Sequence, residues 1–322
     1  MKILVTGGAG FIGSNFIHYI FNKYPDYKII NLDKLTYAGN LDNLKGLEQK
    51  FKNQYEFIKG DICDQALVDK IVSKVDLIVH FAAESHVDRS IEDPDAFLYT
   101  NMMGTHTLLK SALKNNKKRF HHISTDEVFG SLDLNDKKFN ENTNYDPRSP
   151  YSASKASSDH LVMAYFHTYG LPVTVSNCSN NYGPYQFPEK IIPLFLLNAM
   201  NNKPLPIYGS GKCVRDYIFV EDHCRGIDLV IHKGRIGEKY CFGGNNEKNG
   251  IEIADTILKI LEKPESLKEF VKDRPGHDFR YAIDFTKAKN ELNWEPLVPF
   301  EQGIKKTIEW YKNNEDWYKK LI

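Results

Sequence analysis

"KILVTGGAGFIGSNF", residues 2–16, is an apolar run, a glycine turn and the start of a helical pattern. Gly7, Gly10 and Gly13 are spaced G-x-x-G-x-x-G, with Phe11 and Ile12 between the last two. Missing side chains let the backbone approach a pyrophosphate. The helix N-terminus that follows offers free N–H groups and the positive end of a dipole. Asp33 closes the next apolar run, twenty residues past Gly13. An acid at that place hydrogen-bonds the adenosine ribose hydroxyls and repels a 2′-phosphate, so the pattern favours NAD over NADP. Lys34 follows directly and softens that repulsion.

Working outward, short β-branched runs alternate with helical patterns. Strands are predicted at Lys2–Thr6, Lys28–Asp33, Tyr55–Lys59, Asp76–Phe81, Phe120–Ser124 and Pro172–Ser176, and helices at Ile12–Tyr24, Ala66–Lys74, Asp95–Asn115 and Tyr151–Tyr169. Such alternation specifies an α/β fold, a Rossmann-type doubly wound parallel sheet covered on both faces. Ligands in such sheets lie at the carboxyl ends of the strands. There the sequence offers Asp33, Lys34, Leu35 and Thr36 after the second strand, and Asp61 and Ile62 after the third. The fourth is followed by Phe81, Ala82, Ala83 and Ser85. Each group alone also suits ordinary strand-end packing; their order is what points to a dinucleotide. After about residue 178, "NNYGPYQFPEK", "NNKPLPIYGSGK" and "DRPGHD" are rich in Pro, Gly and polar residues. We therefore expect an NAD-binding domain over residues 1–178, to which some later segments return. Residues 179–322 would form mainly a smaller, loop-built substrate domain over the sheet edge. Phe300–Asn313 reads as an amphipathic helix.

The chain of 322 residues carries 42 basic and 42 acidic side chains, so no electrostatic footprint for nucleic acid or a membrane surface stands out. Apolar runs fall short of a membrane span, and the N-terminus reads as a strand, not a signal peptide. Five cysteines, at 63, 178, 213, 224 and 241, show no metal-binding spacing. An odd, scattered set suits reduced thiols in the cytoplasm. No metal is expected.

Two stretches carry chemistry. In "YSASK", residues 151–155, Tyr151 and Lys155 share a helix face at i,i+4. A free tyrosine, with a pKa of about 10, is a poor base, but nearby cations favour its phenolate. Lys155 and an oxidised nicotinamide would be two such cations, letting Tyr151 take a hydroxyl proton as hydride leaves the same carbon. Taken alone, Y-x-x-x-K also describes a solvated helix face. In "STDEVFG", residues 124–130, Asp126 and Glu127 stand side by side after Thr125. A turn cap would use the same residues, and a simple dehydrogenase needs no such carboxyl pair.

The whole pattern resembles the extended short-chain dehydrogenase/reductase superfamily, and within it the dTDP-glucose 4,6-dehydratases. "TGGAGFIGS", "DKLTYAGNL", "HFAAESHVDRSI", "HHISTDEVFG", "SPYSASKASSDHLV", "NCSNNYGPYQFPEK", "VRDYIFVEDH" and "DRPGHDFRYAID" carry the resemblance nearly end to end. It implies a hydro-lyase that uses bound NAD transiently. Tyr151 would assist oxidation at carbon 4 of a nucleotide-linked glucose, and Thr125 would bond the 4-oxygen. Glu127 would take the carbon-5 proton and Asp126 would protonate the departing 6-hydroxyl, which requires Asp126 to hold a proton while Glu127 is ionised. Thr100 and Asn181 match cofactor positions. Ser85, Asn180, Lys190, Ile191, Pro206, Ile207, Tyr208, Arg215, Asn249, Arg274 and His277 match positions that hold the nucleotide sugar. Phe129 stands where the family usually has Tyr, and Gly250 where an Asn is usual, with Asn249 one place earlier. Either dTDP or UDP is compatible with these residues. The resemblance further implies a homodimer paired through Asp95–Asn115 and Tyr151–Tyr169, and a step of deoxysugar (rhamnose-type) biosynthesis. A 4-epimerase of the same fold is the nearest alternative, although it needs no elimination acid and base. A non-catalytic NAD sensor is a more distant one, and such proteins typically lose the Tyr or the Lys.

Overall fold

The computed structural model describes residues 1–273 and 277–321. Its centre is a seven-stranded sheet built from β1 (Lys2–Thr6), β2 (Lys28–Asp33), β3 (Tyr55–Lys59), β4 (Leu77–His80), β5 (Arg119–Thr125) and β6 (Val173–Cys178). The seventh strand is a late one, Lys239–Phe242. The order is β3-β2-β1-β4-β5-β6 followed by Lys239–Phe242, and every pairing is parallel. The order reverses at β1, so a crevice opens beside its carboxyl end. The α/β reading therefore holds, and the six predicted strands fall within two residues of the observed ones.

Both faces are covered by apolar residues at helical spacing. Helix Phe11–Lys23 buries Phe16, Ile17, Ile20 and Phe21 against Ile3, Val5 and Ile29 of one face. Each such side chain contributes about 1.5–3 kcal/mol of burial. On the other face, Val68 and Ile71 of helix Gln65–Val72, Leu108 and Leu109 of Thr105–Lys114, and Val162 of Pro150–Tyr169 cover Leu4, Ile30 and Ile78. A separate apolar cluster gathers Phe195, Leu196, Ile253, Ile257, Phe300 and Tyr311 from later helices. Beside it lie a three-stranded sheet, of Asn180–Tyr182, Val214–Phe219 and Glu247–Asn249, and the parallel pair Leu205–Tyr208 and Lys268–Val271.

One predicted helix is corrected. Asp95–Asn115 is not continuous: a short turn at Pro94–Phe97 leads into a wide π-helical turn, Leu98–Gly104, before the α-helix Thr105–Lys114. The cause is Asn101. Its side chain both donates to the Glu84 carbonyl and accepts from the Glu84 N–H, and it donates to Ser154 Oγ at 2.8 Å. Widening the turn aims that amide at a neighbouring loop, a use to which such bulges are often put. Among the described residues no helix is long and apolar enough to cross a membrane.

Candidate active site

One cleft runs along the carboxyl ends of the sheet. At its floor, Gly7 has φ +71°, and a Cβ there would stand 2.6 Å from Ala82 N; one on Gly13 would stand 2.4 Å from the Gly7 carbonyl oxygen. The turn can thus pack against the end of β4 and against itself only because it carries no side chains there. Helix Phe11–Lys23 starts at Gly10 with no side-chain cap, leaving its first amides for an anion. Asp33 accepts from Ala9 N at 2.9 Å and from Leu35 N at 2.8 Å, which fixes its carboxylate at the edge of the crevice. Burial raises its pKa, against the pull of those two amides. Lys34 pairs with Asp61 at 2.8 Å on the same rim. Gly7, Gly10, Phe11, Ile12, Gly13, Asp33, Lys34, Thr36, Asp61, Ile62, Phe81, Ala82, Ala83, Ser85, Thr100 and Asn181 all line the cleft. Leu35 does not; its side chain packs against the core beside helix Phe11–Lys23. The bare turn, the uncapped helix and the anchored acid fit a dinucleotide. Gly7→Val should lower thermal stability by about 2 kcal/mol or more, because a β-branched residue is strained at that φ and meets backbone. The purified variant should also lack bound NAD, as checked by melting and by nicotinamide content.

Thr125, Asp126, Glu127, Tyr151 and Lys155 line the other half of the same cleft. Thr125 ends β5 and caps the 3₁₀ turn Asp126–Phe129, accepting from Glu127 N. The turn cap and the carboxyl pair are therefore one feature. Asp126 is 1% exposed. Burial, then the charges of Glu127 and Asp216, push its carboxyl well above the usual range and so favour its acid form. Its Oδ1 takes the Thr125 hydroxyl at 3.3 Å, and its Oδ2 is buried without a protein partner. Tyr151 follows the capping box of helix Pro150–Tyr169, in which Ser149 and Ser152 bond reciprocally. Its side chain lines the same stretch of the cleft as Thr125.

Lys155 departs from the simple expectation. Its ammonium donates to the Ile123 carbonyl at 2.7 Å and approaches His122 Nε2 at 3.4 Å. Burial lowers its pKa to about 8, against the attraction of Asp159. Burial also pushes Tyr151 well above its ordinary value, with Glu127 adding to the effect. Within the protein alone the phenol is the favoured form, because it is buried, Glu127 faces it and the Lys155 ammonium is turned toward the Ile123 carbonyl.

The residues matched to nucleotide-sugar positions fall in two places. Ser85, Thr125, Asn180 and Lys190 line the cleft, and Ile191 begins the helix that Lys190 caps. Pro206, Ile207 and Tyr208 lie on the strand Leu205–Tyr208, outside the cleft lining. Arg215 is buried, stacked 4.2 Å from the Tyr281 ring and donating to the Val214 and Asp278 carbonyls. Its charge still reaches Asp126. His277 pairs with Asp273 at 2.7 Å beside Tyr208. Asn249 uses its side-chain oxygen to cap helix Gly250–Leu261, in a capping box with Glu252. That carbonyl is thus committed to the fold. A Cβ on Gly250 would meet only ordinary contacts at 3.7 Å, so no clash accounts for the glycine. Phe129 packs on Phe139 and Tyr145. Arg274 lies outside the described residues.

Some participants were not read from the sequence. Asp159 is 1% exposed and receives Ser124 Oγ and Tyr145 OH, each at 2.8 Å, with His122 Nε2 at 3.2 Å. Burial raises it, but His122 and Lys155 outweigh that and keep it ionised. Its spacing, four residues after Lys155 on one helix, was a legible signal. At the rim, Arg89 stacks 3.9 Å from the Tyr37 ring and reaches Glu189 at 3.4 Å. Nothing in the local sequence pattern joins those three.

A glycine-floored dinucleotide crevice that shares its cleft with Thr, Tyr and Lys defines an NAD-dependent enzyme of the extended short-chain dehydrogenase/reductase class, here with a carboxyl pair added. A family model described as GDP-mannose 4,6 dehydratase matches residues 4–307. The dTDP-glucose 4,6-dehydratase of Salmonella typhimurium is 52% identical over 98% of this chain and 94% of its own length. The dTDP-glucose 4,6-dehydratase of Bacillus anthracis, solved in complex with NAD, superposes with a TM-score of 0.93 at 51% identity over the whole of both chains. That of Streptomyces venezuelae, solved with NAD and TYD bound, gives 0.96 at 46% identity, again over both full chains. The chain belongs to the dTDP-glucose 4,6-dehydratase family, whose members are NAD-dependent hydro-lyases.

Proposed function

We propose that the protein converts dTDP-glucose to its 4-keto-6-deoxy product. The observation that carries this reading is the pairing of Asp126, 1% exposed, with Glu127 beside it in the cleft that holds Tyr151. Elimination of water needs an acid and a base together, whereas a 4-epimerase of this fold has no use for either. NAD, when bound, accepts an electron pair from carbon 4 and returns it at carbon 6, and its oxidised ring is positively charged. Thr125 holds the sugar's 4-oxygen and Tyr151 takes the 4-hydroxyl proton. Glu127 removes the proton at carbon 5, which the new ketone has acidified. Asp126 protonates the 6-hydroxyl as it departs, and Glu127 gives its proton back to carbon 5. Lys190, Arg215 and His277, with the strand Leu205–Tyr208, supply the diphosphate and base contacts; guanidinium and ammonium groups suit a diphosphate. Mass spectrometry of product from dTDP-glucose and, separately, UDP-glucose tests the reading. Loss of one water from dTDP-glucose, faster than from UDP-glucose, is expected; an isobaric product would mean epimerisation. The product's chemistry suits an early step toward a deoxysugar, and the five free cysteines suit a cytoplasmic location.

The same reading includes a homodimer. Leu98, Tyr99 and Met103 are 44%, 57% and 50% exposed on the π-helical turn, which packs beside helix Pro150–Tyr169. Pairing of copies through these elements would cover those apolar side chains. Leu98→Glu combined with Met103→Glu should shift the protein to monomer in sedimentation. Because Thr100 of that turn lines the cleft, NAD retention should fall as well.

A further inference from the structure

We propose that Tyr37, Arg89 and Glu189 form a clasp over the dinucleotide crevice, which must part for NAD to enter or leave. The use assigned to the clasp rests on the dehydratase reading above. In that reaction the electron pair taken from carbon 4 has to return at carbon 6 of the same sugar. Were the cofactor to leave between those two steps, it would carry the pair away and strand the sugar half-converted. Slow release is therefore an advantage here, whereas a dehydrogenase that exchanges its cofactor at every turnover has no need of it.

Sheet order brings the parts together. β2 and β4 flank β1, and the glycine turn leaves the carboxyl end of β1. Tyr37 stands on the loop after β2, and Arg89 on the short helix Val87–Glu92 after β4. Segments from either side of the glycine turn therefore meet, with the Arg89 guanidinium 3.9 Å from the centre of the Tyr37 ring. A third segment, following the strand Asn180–Tyr182, completes the contact. Its Glu189 accepts from Arg89 Nη2 at 3.4 Å and faces His86 Nε2 at 3.8 Å. Its Phe187 meets the Tyr37 ring edge-on, with 5.7 Å between centres. Tyr37, Phe187 and Glu189 line the same cleft as Gly7, Gly10 and Gly13.

The three segments are fastened separately at their bases. Asn40 N donates to the Ala9 carbonyl at 3.0 Å, Asn101 bonds both backbone groups of Glu84, and Asn15 Nδ2 donates to the Pro184 carbonyl at 2.9 Å. Their tips are joined by side chains: an arginine on an aromatic face, an ion pair and an edge-on ring contact. Such contacts at a half-exposed arginine are individually weak and can break without disturbing the fold beneath. All of them are between protein groups. Removing one therefore favours the open form with or without NAD, and should speed entry as much as exit.

The test follows exchange, not turnover. Protein carrying nicotinamide-labelled NAD is diluted into excess unlabelled NAD, without sugar, and the label retained is followed in time. Equilibrium dialysis of the same label gives Kd, and the release rate divided by Kd gives the entry rate. Arg89→Ala is expected to release label about tenfold faster, the combined scale of a cation–π contact and an exposed ion pair, with Kd changed less than about threefold. Glu189→Gln should release it about threefold faster. The double variant should fall short of the product of the two, because they share one contact. Release at the parent rate in Arg89→Ala overturns the clasp. So does faster release matched by an equal loss of affinity, which would mean that Arg89 holds the dinucleotide itself and not its gate. A double variant that reaches the full product also counts against it, since the two residues would then act apart. Because sugar is left out, the clasp can fail with the dehydratase reading intact. That reading, judged by loss of water from dTDP-glucose, can likewise fail while the gating of NAD stands.

Discussion

Glu127→Gln should bind dTDP-glucose, develop reduced-nicotinamide absorbance, and stop there, with release of water slowed about 10²–10⁴-fold. Asp126→Asn should behave in the same way for the complementary reason. The first oxidation needs Tyr151 and Thr125 but neither carboxyl group, so it survives in part. Elimination needs a base at carbon 5 and an acid at the 6-hydroxyl, and each variant lacks one of the two. Either variant dehydrating at the parent rate would show that the pair has been given the wrong roles. Stability provides an independent check on Asp126. Its folded pKa lies above the ordinary carboxylate value. From near pH 4 upward the unfolded chain sheds this proton while the folded protein retains it, so the group costs stability as pH rises through that window. The amide of Asp126→Asn carries no such cost. The variant should melt at or above the parent temperature at neutral pH, and the two should converge in acid. Loss of activity with stability kept or gained would be hard to attribute to misfolding.

The sequence made the first half of the chain legible for a physical reason. Strands β1, β2 and β4, buried along nearly their whole length, read as apolar runs, and the alternation with helices placed β3, β5 and β6 at nearly their true limits as well. The seventh strand, Lys239–Phe242, is four residues long and carries a polar start, and it is a strand only because Val175–Cys178 lies beside it. The π-helical turn at Leu98–Gly104 was illegible likewise, since Asn101 answers to Glu84 and Ser154 and not to its own helix. In the cleft, strand order alone brought the glycine turn, Asp33, Asp61, Ala82 and Thr125 to one edge. Spacing on one helix then placed Tyr151 and Lys155. The direction of the Lys155 ammonium was not legible, because the Ile123 carbonyl and the Asp159–His122 pair that draw it reach it only through tertiary packing. Nor does motif matching foretell that Asn249 would be occupied as a helix cap.

Tyr151→Phe should bind the sugar nucleotide and show no reduced-nicotinamide absorbance at all, the opposite of the carboxylate variants. The ring itself tolerates the change. It lies 6.2 Å from Phe97 in an edge-on contact, which the phenylalanine ring keeps. The chemical cost is large, about 10²–10⁴-fold on the oxidation step, because no other group is assigned to take the 4-hydroxyl proton. The buried environment favours the phenol, so the phenolate needed for catalysis depends on positive charge in the cleft. Lys155, with a pKa of about 8, is still mostly protonated at neutral pH but spends its charge close to Asp159. Oxidation should therefore be the step most sensitive to Tyr151, and a second lesion further along should add nothing to it. The double variant Tyr151→Phe, Glu127→Gln should be spectrally silent, indistinguishable from Tyr151→Phe alone. Were the double variant silent but the single Tyr151→Phe still able to raise the absorbance, Glu127 would be the base at the 4-hydroxyl. Its place at carbon 5 would then have to be given up.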